Sequence, residues 1–333
     1  MRGLLSFISR PSVVLLGIEA AFVAGTVPQS SRELGSFRER VQPQNTYTIA
    51  FLQSDAKDPW HAQLEKDLKT AAGKYAEIRF VTHDAAGDAK VQAEHITQLA
   101  SDKVNLIILS PVDAAIGSKL PLAAAANIPV VVLDHPVDGS SFTTFIGVEN
   151  RLIGREAGKW IAKKLAGKGS VVEIRGSAED EVGRARSEPF RDAIKGGEIR
   201  IVHEAVADWS KEKAREHMQQ ALSANPEKGS ITLVYGASDE ITLAAYDVAK
   251  EAKRDEEMLF VAAGALPDVG LRAVKDGVFD AAFERTSGAS LAIDTALLIL
   301  NGKTVPAAIP LGTRLYTPEN IEKGGEEIKP DAK

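Results

Sequence analysis

Short apolar runs rich in β-branched residues alternate with longer amphipathic stretches along most of this chain. Such alternation is typical of successive βαβ units, in which helices cover both faces of a parallel sheet. The first half of the pattern predicts strands at 49–52, 78–81, 106–109, 130–133 and near 144–148, with helices near 59–75, 88–101 and 112–126. These units predict one parallel sheet.

The same alternation begins again in the second half of the chain. It predicts strands at 170–174, 199–205, 231–235 and 259–262, with helices near 150–166, 184–195, 210–224 and 239–253. A strand near 278–283, a helix near 288–301 and a strand near 311–316 are left over. If the chain completed one sheet before starting the next, these last elements would have no place. We therefore expect the chain to cross back between its domains.

The predicted architecture is α/β, with two similar doubly wound parallel-sheet lobes joined by a multi-strand hinge. A chain of 333 residues exceeds the size at which one hydrophobic core usually stops growing, which supports two domains. We expect a first lobe of 46–148 plus 286–312, a second lobe of 149–285 plus 313–325, and a disordered tail over 326–333. Open α/β sheets bind ligands at the carboxyl ends of their strands, which predicts a cleft between the lobes.

Residues 1–25 have the general plan of a secretory signal peptide or membrane anchor. Arg2 lies ahead of an apolar run, Val13–Gly25, that has small residues near its end. Glu19 interrupts this run, and a carboxylate in hydrocarbon is costly. A cleaved signal, an uncleaved anchor and a frayed or misassigned amino terminus are therefore the alternatives, and export is favoured. Residues 26–45 are polar and predict a linker, and the expected location is periplasmic or extracytoplasmic.

Composition excludes several classes of function. The formal net charge of -6 gives no general attraction to nucleic-acid phosphates or an anionic membrane, so no nucleic-acid partner is expected. The chain has no cysteine, which excludes disulfides, thiol catalysis, thiolate metal sites and a lipoprotein anchor. It also has no His-Glu-x-x-His spacing and no Gly-x-Gly-x-x-Gly after the first strand. Neither a metal nor a cofactor is expected.

The loop after the first predicted strand concentrates side chains suited to a small polyhydroxylated ligand. Ser54, Asp58, Trp60 and His61 supply hydrogen-bond acceptors, donors and one broad apolar ring. The position of this loop, at the carboxyl end of a parallel strand, is where an open α/β sheet holds its ligand. The loop therefore predicts part of a binding site.

Four separated segments carry a family resemblance: Ser54-Asp-Ala-Lys-Asp-Pro-Trp60, Asn127-Ile-Pro-Val-Val-Val-Leu-Asp-His135, Gly183-Arg-Ala-Arg-Ser-Glu-Pro-Phe190 and Tyr235-Gly-Ala-Ser-Asp-Glu240. As a set they resemble the type I periplasmic sugar-binding proteins, especially the ribose-binding branch. The resemblance extends from Tyr47 to about Leu315. It implies a protein that closes on a small carbohydrate-like ligand without chemistry and delivers it to the membrane subunits of an ABC permease. A monomer is expected.

Carried over position by position, the resemblance implies that the ligand site contains Ser54, Asp58, Trp60, His61, Asp134, His135, Arg186, Trp209, Ser238, Gly264 and Arg285. The physical chemistry agrees, because an aromatic ring offers an apolar plate to the C–H face of a sugar. Arginine and carboxylate side chains then fix hydroxyl groups by charge-assisted hydrogen bonds.

Several of these positions depart from the family pattern. Gly264 ends an Ala-Ala-Gly segment where the family usually has Gly-Phe-Asp, so a hydroxyl-binding carboxylate is missing. His61 replaces an aromatic residue, His135 an arginine, Ser238 an asparagine and Arg285 a glutamine. Cationic groups balance carboxylates more heavily than in the family pattern. Ribose itself is therefore not predicted, and a sugar acid would be tolerated.

Structural roles are the alternatives at these positions. They are helix packing for Trp60, a backbone turn for Asp134, pairing with Glu179 or Glu181 for Arg186, covering a helix end for Trp209, helix capping for Ser238 and Asp239, and a hinge contact for Arg285. Trp160 lies in the middle of a predicted helix and is expected to pack in the core. The other four histidines have no assigned role.

Three other functions are alternatives to solute binding: an enzyme, a transcription repressor and a sensory component. An enzyme would need a nucleophile, metal or phosphate-binding constellation, and none is evident, so no enzymatic activity is predicted. A sugar-responsive transcription repressor would need a basic helix-turn-helix ahead of Tyr47, where this chain has an apolar run and a linker. A sugar-sensing periplasmic component of a signalling system remains the stronger alternative.

Overall fold

The structure, a computed structural model, describes residues 46–178 and 181–330. The predicted signal or anchor and the predicted linker lie outside these ranges. The described strands are β1 Tyr47–Gln53, β2 Ile78–Asp84, β3 Leu106–Leu109, β4 Val130–Leu133, β5 Thr144–Val148, β6 Lys168–Arg175, β7 Glu198–Val206, β8 Leu233–Gly236, β9 Leu259–Gly264, β10 Ala281–Glu284, β11 Ala308–Leu311, β12 Thr313–Tyr316 and β13 Glu326–Ile328.

The strands form two sheets. The first has the order β11-β5-β4-β3-β1-β2 and is parallel throughout. The second has the order β13-β12-β10-β9-β8-β6-β7, in which only β12 and β13 run antiparallel to their neighbours. This arrangement confirms the predicted two-lobe α/β fold.

Helices cover both faces of each sheet. They are α1 Pro59–Ala72, α2 Ala89–Asp102, α3 Pro121–Ala125, α4 Asn150–Lys164, α5 Glu181–Ile194, α6 Lys211–Ala224, α7 Asp239–Glu251, α8 Arg272–Lys275 and α9 Ala289–Leu300. Alternate residues of β1 point to opposite faces, so Phe51 packs with α1 and α9 while Leu52 packs with α2 and α3. In the second sheet Val261 faces α4 and α5, and Phe260 faces α6 and α7. Both faces are buried, which explains the continuous apolar runs of the strands.

The helix predicted near 112–126 is divided in the structure. A 3-10 turn covers Ala114–Lys119, and α3 begins only at Pro121. Proline has no backbone N–H, so Pro121 cannot continue the hydrogen bonds of the preceding turn but suits the first position of a new helix. The short elements at Pro267–Leu271 and α8 were not predicted.

The strand predicted near 311–316 belongs to two different sheets. Residues of β11 pair with β5 in the first sheet, and residues of β12 pair with β10 in the second. Gly312 lies between them, and a Cβ atom there would come within 2.4 Å of the carbonyl oxygen of Ile328. The chain therefore passes between the sheets at a residue that only glycine accommodates.

The predicted disordered tail over 326–333 is wrong for its first residues. Glu326–Ile328 forms β13, which pairs antiparallel with β12, and residues 331–333 lie outside the described ranges. The pairing satisfies backbone groups that the edge of β12 would otherwise leave open. Ile328 also packs against the core cluster of the second sheet.

The chain passes between the two sheets three times within the described residues. The passages follow β5, β10 and β11. The second and third are joined directly, because Thr313 Oγ1 donates to the carbonyl oxygen of Glu284 at 2.7 Å and Thr286 Oγ1 donates to that of Gly312 at 3.3 Å. The first passage joins them, because the backbone N–H of Glu149 donates to the carbonyl oxygen of Leu311 at 3.5 Å. The three passages therefore lie side by side where the lobes meet.

Close contact between α4 and α5 depends on Gly154. A Cβ atom at this position would lie 2.1 Å from the carbonyl oxygen of Arg186. Helix propensity alone would make Gly154→Ala stabilising by about 1 kcal/mol. We expect the opposite sign, a loss of about 1–3 kcal/mol in the free energy of unfolding, because the added methyl group forces the helices apart.

Urea denaturation at pH 7 checks this expectation. Lys163→Ala, on the exposed side of the same helix, is the control and should change the free energy by no more than about 0.5 kcal/mol. A Gly154→Ala variant as stable as the wild type would show that the helix contact is looser than the structure indicates.

Candidate functional site

A cavity of about 720 Å³ lies at the carboxyl ends of strands from both sheets. It is lined by ten of the predicted ligand-binding residues: Ser54, Asp58, Trp60, His61, His135, Arg186, Trp209, Ser238, Gly264 and Arg285. Asp134 does not line the cavity but contacts four residues that do. The structure therefore gathers the predicted set around one cleft and puts Asp134 behind its wall.

The start of α1 holds the first-loop residues in place. Asp58 is the N-cap of this helix, and its Oδ1 accepts the backbone N–H of His61 at 3.0 Å. His61 Nδ1 lies 2.8 Å from the same oxygen. Burial works to raise the pKa of Asp58, but the hydrogen bonds and charge of His61 outweigh it, so the pKa lies below its ordinary value.

Asp134 anchors the wall of the cleft that belongs to the first lobe. It directly follows β4 and adopts a left-handed backbone conformation with φ of 77°. Its carboxylate accepts three hydrogen bonds from Arg285, from Nε at 3.1 Å and from Nη2 at 2.6 and 2.5 Å. Trp60 Nε1 donates to Oδ2 at 3.3 Å, and His135 Nε2 lies 3.2 Å away.

Charge explains why Asp134 stays ionised while buried. Burial alone works to raise its pKa, but the positive charges of Arg285 and His135 hold it well below its usual range. The guanidinium of Arg285 also lies over the indole ring of Trp60, 4.3 Å from the ring centre, which is a cation–π contact. Trp60 therefore packs against Arg285 and Asp134 in the wall of the cleft.

Three donor atoms in this cluster lie close enough together to be tested as metal ligands. One atom each of His61, Asp134 and His135 lie within 4.8 Å of one another. However, Arg285 Nη2 already lies 2.5 Å from Asp134 Oδ2 and 2.8 Å from His135 Nε2. A cation bound by these atoms would meet the guanidinium, so the arrangement does not fit a metal.

Arg186 is almost fully buried in the second lobe and joins three of its elements. Its Nε donates to Asn150 Oδ1 at 3.0 Å, and its Nη1 donates to the carbonyl oxygens of Ala237 and Ala263 at 2.7 and 3.1 Å. These bonds differ from the surface pairing considered from the sequence. Arg186 thus holds the strand ends that line the cleft.

Trp209 lines the cleft from the second lobe and is 38% exposed. Asp208 and Trp209 both have positive φ, 47° and 62°, which is uncommon for these side chains. The indole lies against Gly176, where a Cβ atom would come within 2.3 Å of the ring. The second lobe therefore presents an aromatic plate that only a glycine neighbour permits.

The start of α7 carries one capping residue and one loop anchor. Ser238 is the N-cap, and its Oγ accepts the backbone N–H of Ile241 at 3.3 Å. Asp239 turns away from the helix and accepts the backbone N–H groups of Ala265 and Leu266 at 2.8 and 2.6 Å. A Cβ atom on Gly264 would come within 2.4 Å of its carboxylate. Burial raises the pKa of Asp239 to about 7.

Position 264 requires glycine because any side chain there would clash with the Asp239 carboxylate. An aspartate at position 264, which the resembled family carries, would clash with the Asp239 carboxylate. Sequence reasoning identified Asp239 only as a possible cap, because a contact between residues 239 and 264 leaves no local signal.

Sequence reasoning missed several residues that line the cleft: Asp113, Glu181, Arg184, Lys211, Asp239 and Glu240. Glu240 is the most informative of them. Its Oε1 atom is buried and accepts no hydrogen bond from the described residues, and the same is true of Ser54 Oγ. Buried polar atoms are normally paired, so both oxygens retain the capacity to accept a hydrogen bond. The Ser-Asp-Glu segment in the sequence was the available signal for Glu240.

No helix within residues 46–178 or 181–330 is long and apolar enough to cross a bilayer.

The packing of Trp160 against the core of the second lobe agrees with its predicted structural role.

Comparison with known families gives a match over most of the chain. A model of the periplasmic binding protein domain matches residues 49–304. Members of this family are substrate-binding proteins and not enzymes.

Two sequence relatives and one solved structure show the range of the similarity. The ribose import binding protein RbsB of Escherichia coli (strain K12) is 27% identical over 271 residues, which cover 80% of this chain and 90% of the relative. The galactofuranose-binding protein YtfQ of the same organism is 28% identical over 293 residues, covering 85% and 91%. The fructose-binding periplasmic domain of a hybrid two-component system is 30% identical, with a TM-score of 0.74, and the match covers 84% of this chain and 93% of that one.

Proposed function

Since this chain belongs to the periplasmic binding protein family, we propose that it captures a small carbohydrate between its two lobes and delivers it to an ABC permease. The carbohydrate classes that suit the cleft are a monosaccharide, a polyol or a sugar acid. The protein works outside the cytoplasm, as a monomer, and makes or breaks no covalent bond. The names of its relatives, which refer to ribose, galactofuranose and fructose, support a carbohydrate ligand.

One observation carries the proposal most directly. Trp60 from the first lobe and Trp209 from the second line the same cavity, together with unpaired buried oxygens of Ser54 and Glu240. Indole rings suit the apolar C–H faces of a sugar, and buried unpaired oxygens suit its hydroxyl protons. The mixture of two apolar plates with a few convergent polar groups is typical of small-molecule sites.

Hinge closure is the motion proposed for capture. The three passages between the sheets are short, and a few residues at such passages absorb the backbone rotation of hinge motions. A cleft lined from both lobes gains contacts only when the lobes approach each other. A carbohydrate bound between them therefore favours the closed form.

A sensory role is the second candidate. The similar fructose-binding periplasmic domain belongs to a hybrid two-component system, which is a signalling system. The same cleft and the same closure serve either partner. Co-purification of the chain with a permease or with a sensor kinase distinguishes the two roles.

A thermal-shift screen tests the proposed function. Pentoses, hexoses, polyols and sugar acids are each added to the purified chain, and one class is expected to raise the unfolding midpoint. A ligand present at 100 times its Kd adds about 2.7 kcal/mol to the stability of the folded state. NMR of the recovered ligand should show it unchanged. No shift with any carbohydrate, or a new product, would contradict the proposal.

A further inference from the structure

We propose that the ligand carries a carboxylate group, which binds to a wall of the cleft formed by Trp60, His135 and Arg285. This inference rests on the proposed function and narrows the ligand to an acidic sugar. The three residues, named here the arginine wall, all line the cavity. Trp60 and His135 come from the first lobe, and Arg285 comes from the passage that follows β10 of the second sheet.

The acceptor behind the arginine wall is already occupied. Both oxygens of Asp134 accept hydrogen bonds from Arg285, and Oδ2 also accepts from Trp60. Asp134 is 8% exposed and does not line the cavity. A ligand hydroxyl at this wall therefore finds the Asp134 carboxylate already engaged.

Arg285 keeps one free edge toward the cavity. A guanidinium has five N–H donors, and the bonds to Asp134 and His135 use only Nε and Nη2. Nη1 makes no hydrogen bond with any residue in 46–178 or 181–330, and the side chain is 14% exposed. The two N–H groups of Nη1 are thus available to a ligand.

The orientation of this free edge is set before any ligand binds. The backbone N–H of Arg285 donates to the carbonyl oxygen of Gly264 at 2.9 Å. Its side chain is held on one side by Asp134 and lies over the ring of Trp60. A donor that is already oriented costs less conformational entropy on binding.

Donors whose adjacent carboxylate is already engaged favour a ligand carboxylate over a ligand hydroxyl group. A hydroxyl that accepts from Arg285 still has its own proton to place, whereas a carboxylate has only lone pairs. Hydrogen bonds between charged partners are also about twice as strong as neutral ones. The imidazole of His135 lies 2.8 Å from Arg285 Nη2 and holds this side of the guanidinium in place.

The acidic side chains of the same lobe are engaged by their own helical turns. Asp58 Oδ1 accepts the backbone N–H of His61, and Asp113 Oδ1 accepts that of Ile116 at 3.1 Å. These bonds disperse part of their negative charge. In the second lobe, the unpaired Oε1 of Glu240 accepts hydroxyl protons. The cleft therefore suits a ligand with an acidic end toward the first lobe and hydroxyl groups toward the second.

Isothermal titration of the full chain with matched pairs tests the inference. The pairs are D-galacturonate against D-galactose, D-glucuronate against D-glucose, and D-gluconate against sorbitol. At least one acid is expected to bind ten times more tightly than its neutral partner. Its affinity should fall several-fold when NaCl is raised from 0.05 to 0.5 M, because the contact is ionic, while that of any neutral ligand stays constant.

Arg285→Gln isolates the responsible side chain, because it keeps a planar amide and removes the charge. It should weaken the acid at least tenfold and weaken a neutral partner by a clearly smaller factor. Arg151→Gln is the control, since Arg151 pairs with Glu188 on the exposed surface outside the cavity. Circular dichroism verifies that both variants are folded, and the salt series tests the inference on the wild type should Arg285→Gln not fold.

The possible failures are distinguishable. Neutral sugars that bind while all three acids do not would overturn this inference and leave the proposed function standing. An acid that binds equally well to Arg285→Gln, or without dependence on salt, would overturn the arginine wall as its site. A chain that binds no carbohydrate in either form would overturn the proposed function itself.

Discussion

Replacing Asp134 by asparagine is expected to lower the free energy of unfolding by about 3 kcal/mol or more. The substitution keeps the shape of the side chain, and asparagine tolerates the left-handed backbone at this position. It removes the charge that compensates Arg285, whose side chain is 14% exposed. An uncompensated buried charge is strongly destabilising, and urea denaturation at pH 7 measures the loss.

A double variant separates the charge from the packing. Asp134→Asn combined with Arg285→Met removes both ionised partners and leaves no unpaired charge. Replacement of a whole buried ion pair by groups of similar volume is often neutral, so the double variant should recover much of the lost stability. A double variant less stable than Asp134→Asn alone would show that the pair is not the cause.

The stabilisation from Asp134 also has a defined dependence on pH. Its pKa in the folded protein lies well below the ordinary value, so its contribution is present above about pH 4 and is lost as the pH falls further. The difference in stability between wild type and Asp134→Asn should therefore narrow at low pH. A gap that is the same at pH 7 and pH 3 would contradict the assigned charge pairing.

Trp60→Ala is expected to weaken binding of the carbohydrate found in the thermal-shift screen by at least 30-fold. The variant removes an apolar plate from the cleft and also a ring that supports Arg285. Central aromatic residues of binding sites commonly contribute about 2 kcal/mol or more when truncated, which corresponds to this factor. Isothermal titration with the same carbohydrate measures the change.

Two variants show whether the ring itself is responsible. Trp60→Phe keeps an aromatic plate and should retain most of the affinity. Trp160→Phe alters an indole that packs against the core of the second lobe, away from the cavity, and should bind as the wild type does. Unchanged affinity in Trp60→Ala would remove this tryptophan from the site.

Local sequence signals were enough to predict most strands and helices in their order. The apolar run 130–133, for example, is β4 in the structure, and the amphipathic stretch near 239–253 is α7 at Asp239–Glu251. Both signals arise from residues close together in the chain, because side-chain periodicity depends only on the local backbone. The predictions failed at Gly312 and at Glu326–Ile328, where distant strands decide the conformation.

The candidate site was predictable as a set of residues and not as an arrangement. Ser54 and Trp60 were identified because they follow a strand end, where a parallel sheet binds its ligand, and Ser238 was identified through the family resemblance. The roles of Asp134 and Arg285 were not predictable, since 151 positions separate the two partners of their ion pair. The contact between Asp239 and Gly264 was also not predictable, because these residues are far apart in the sequence.

By itself, the sequence determined that this protein is a two-lobe α/β chain with polar and aromatic residues at its strand ends, because those properties follow from local periodicity. Only the tertiary structure decided which carboxylates are available to a ligand. Asp134 and Asp239 are both turned toward partners inside the protein, while Arg285 keeps a free edge in the cleft. The physical reason is that hydrogen bonding and burial are set by neighbours in space, and these come from distant parts of the chain.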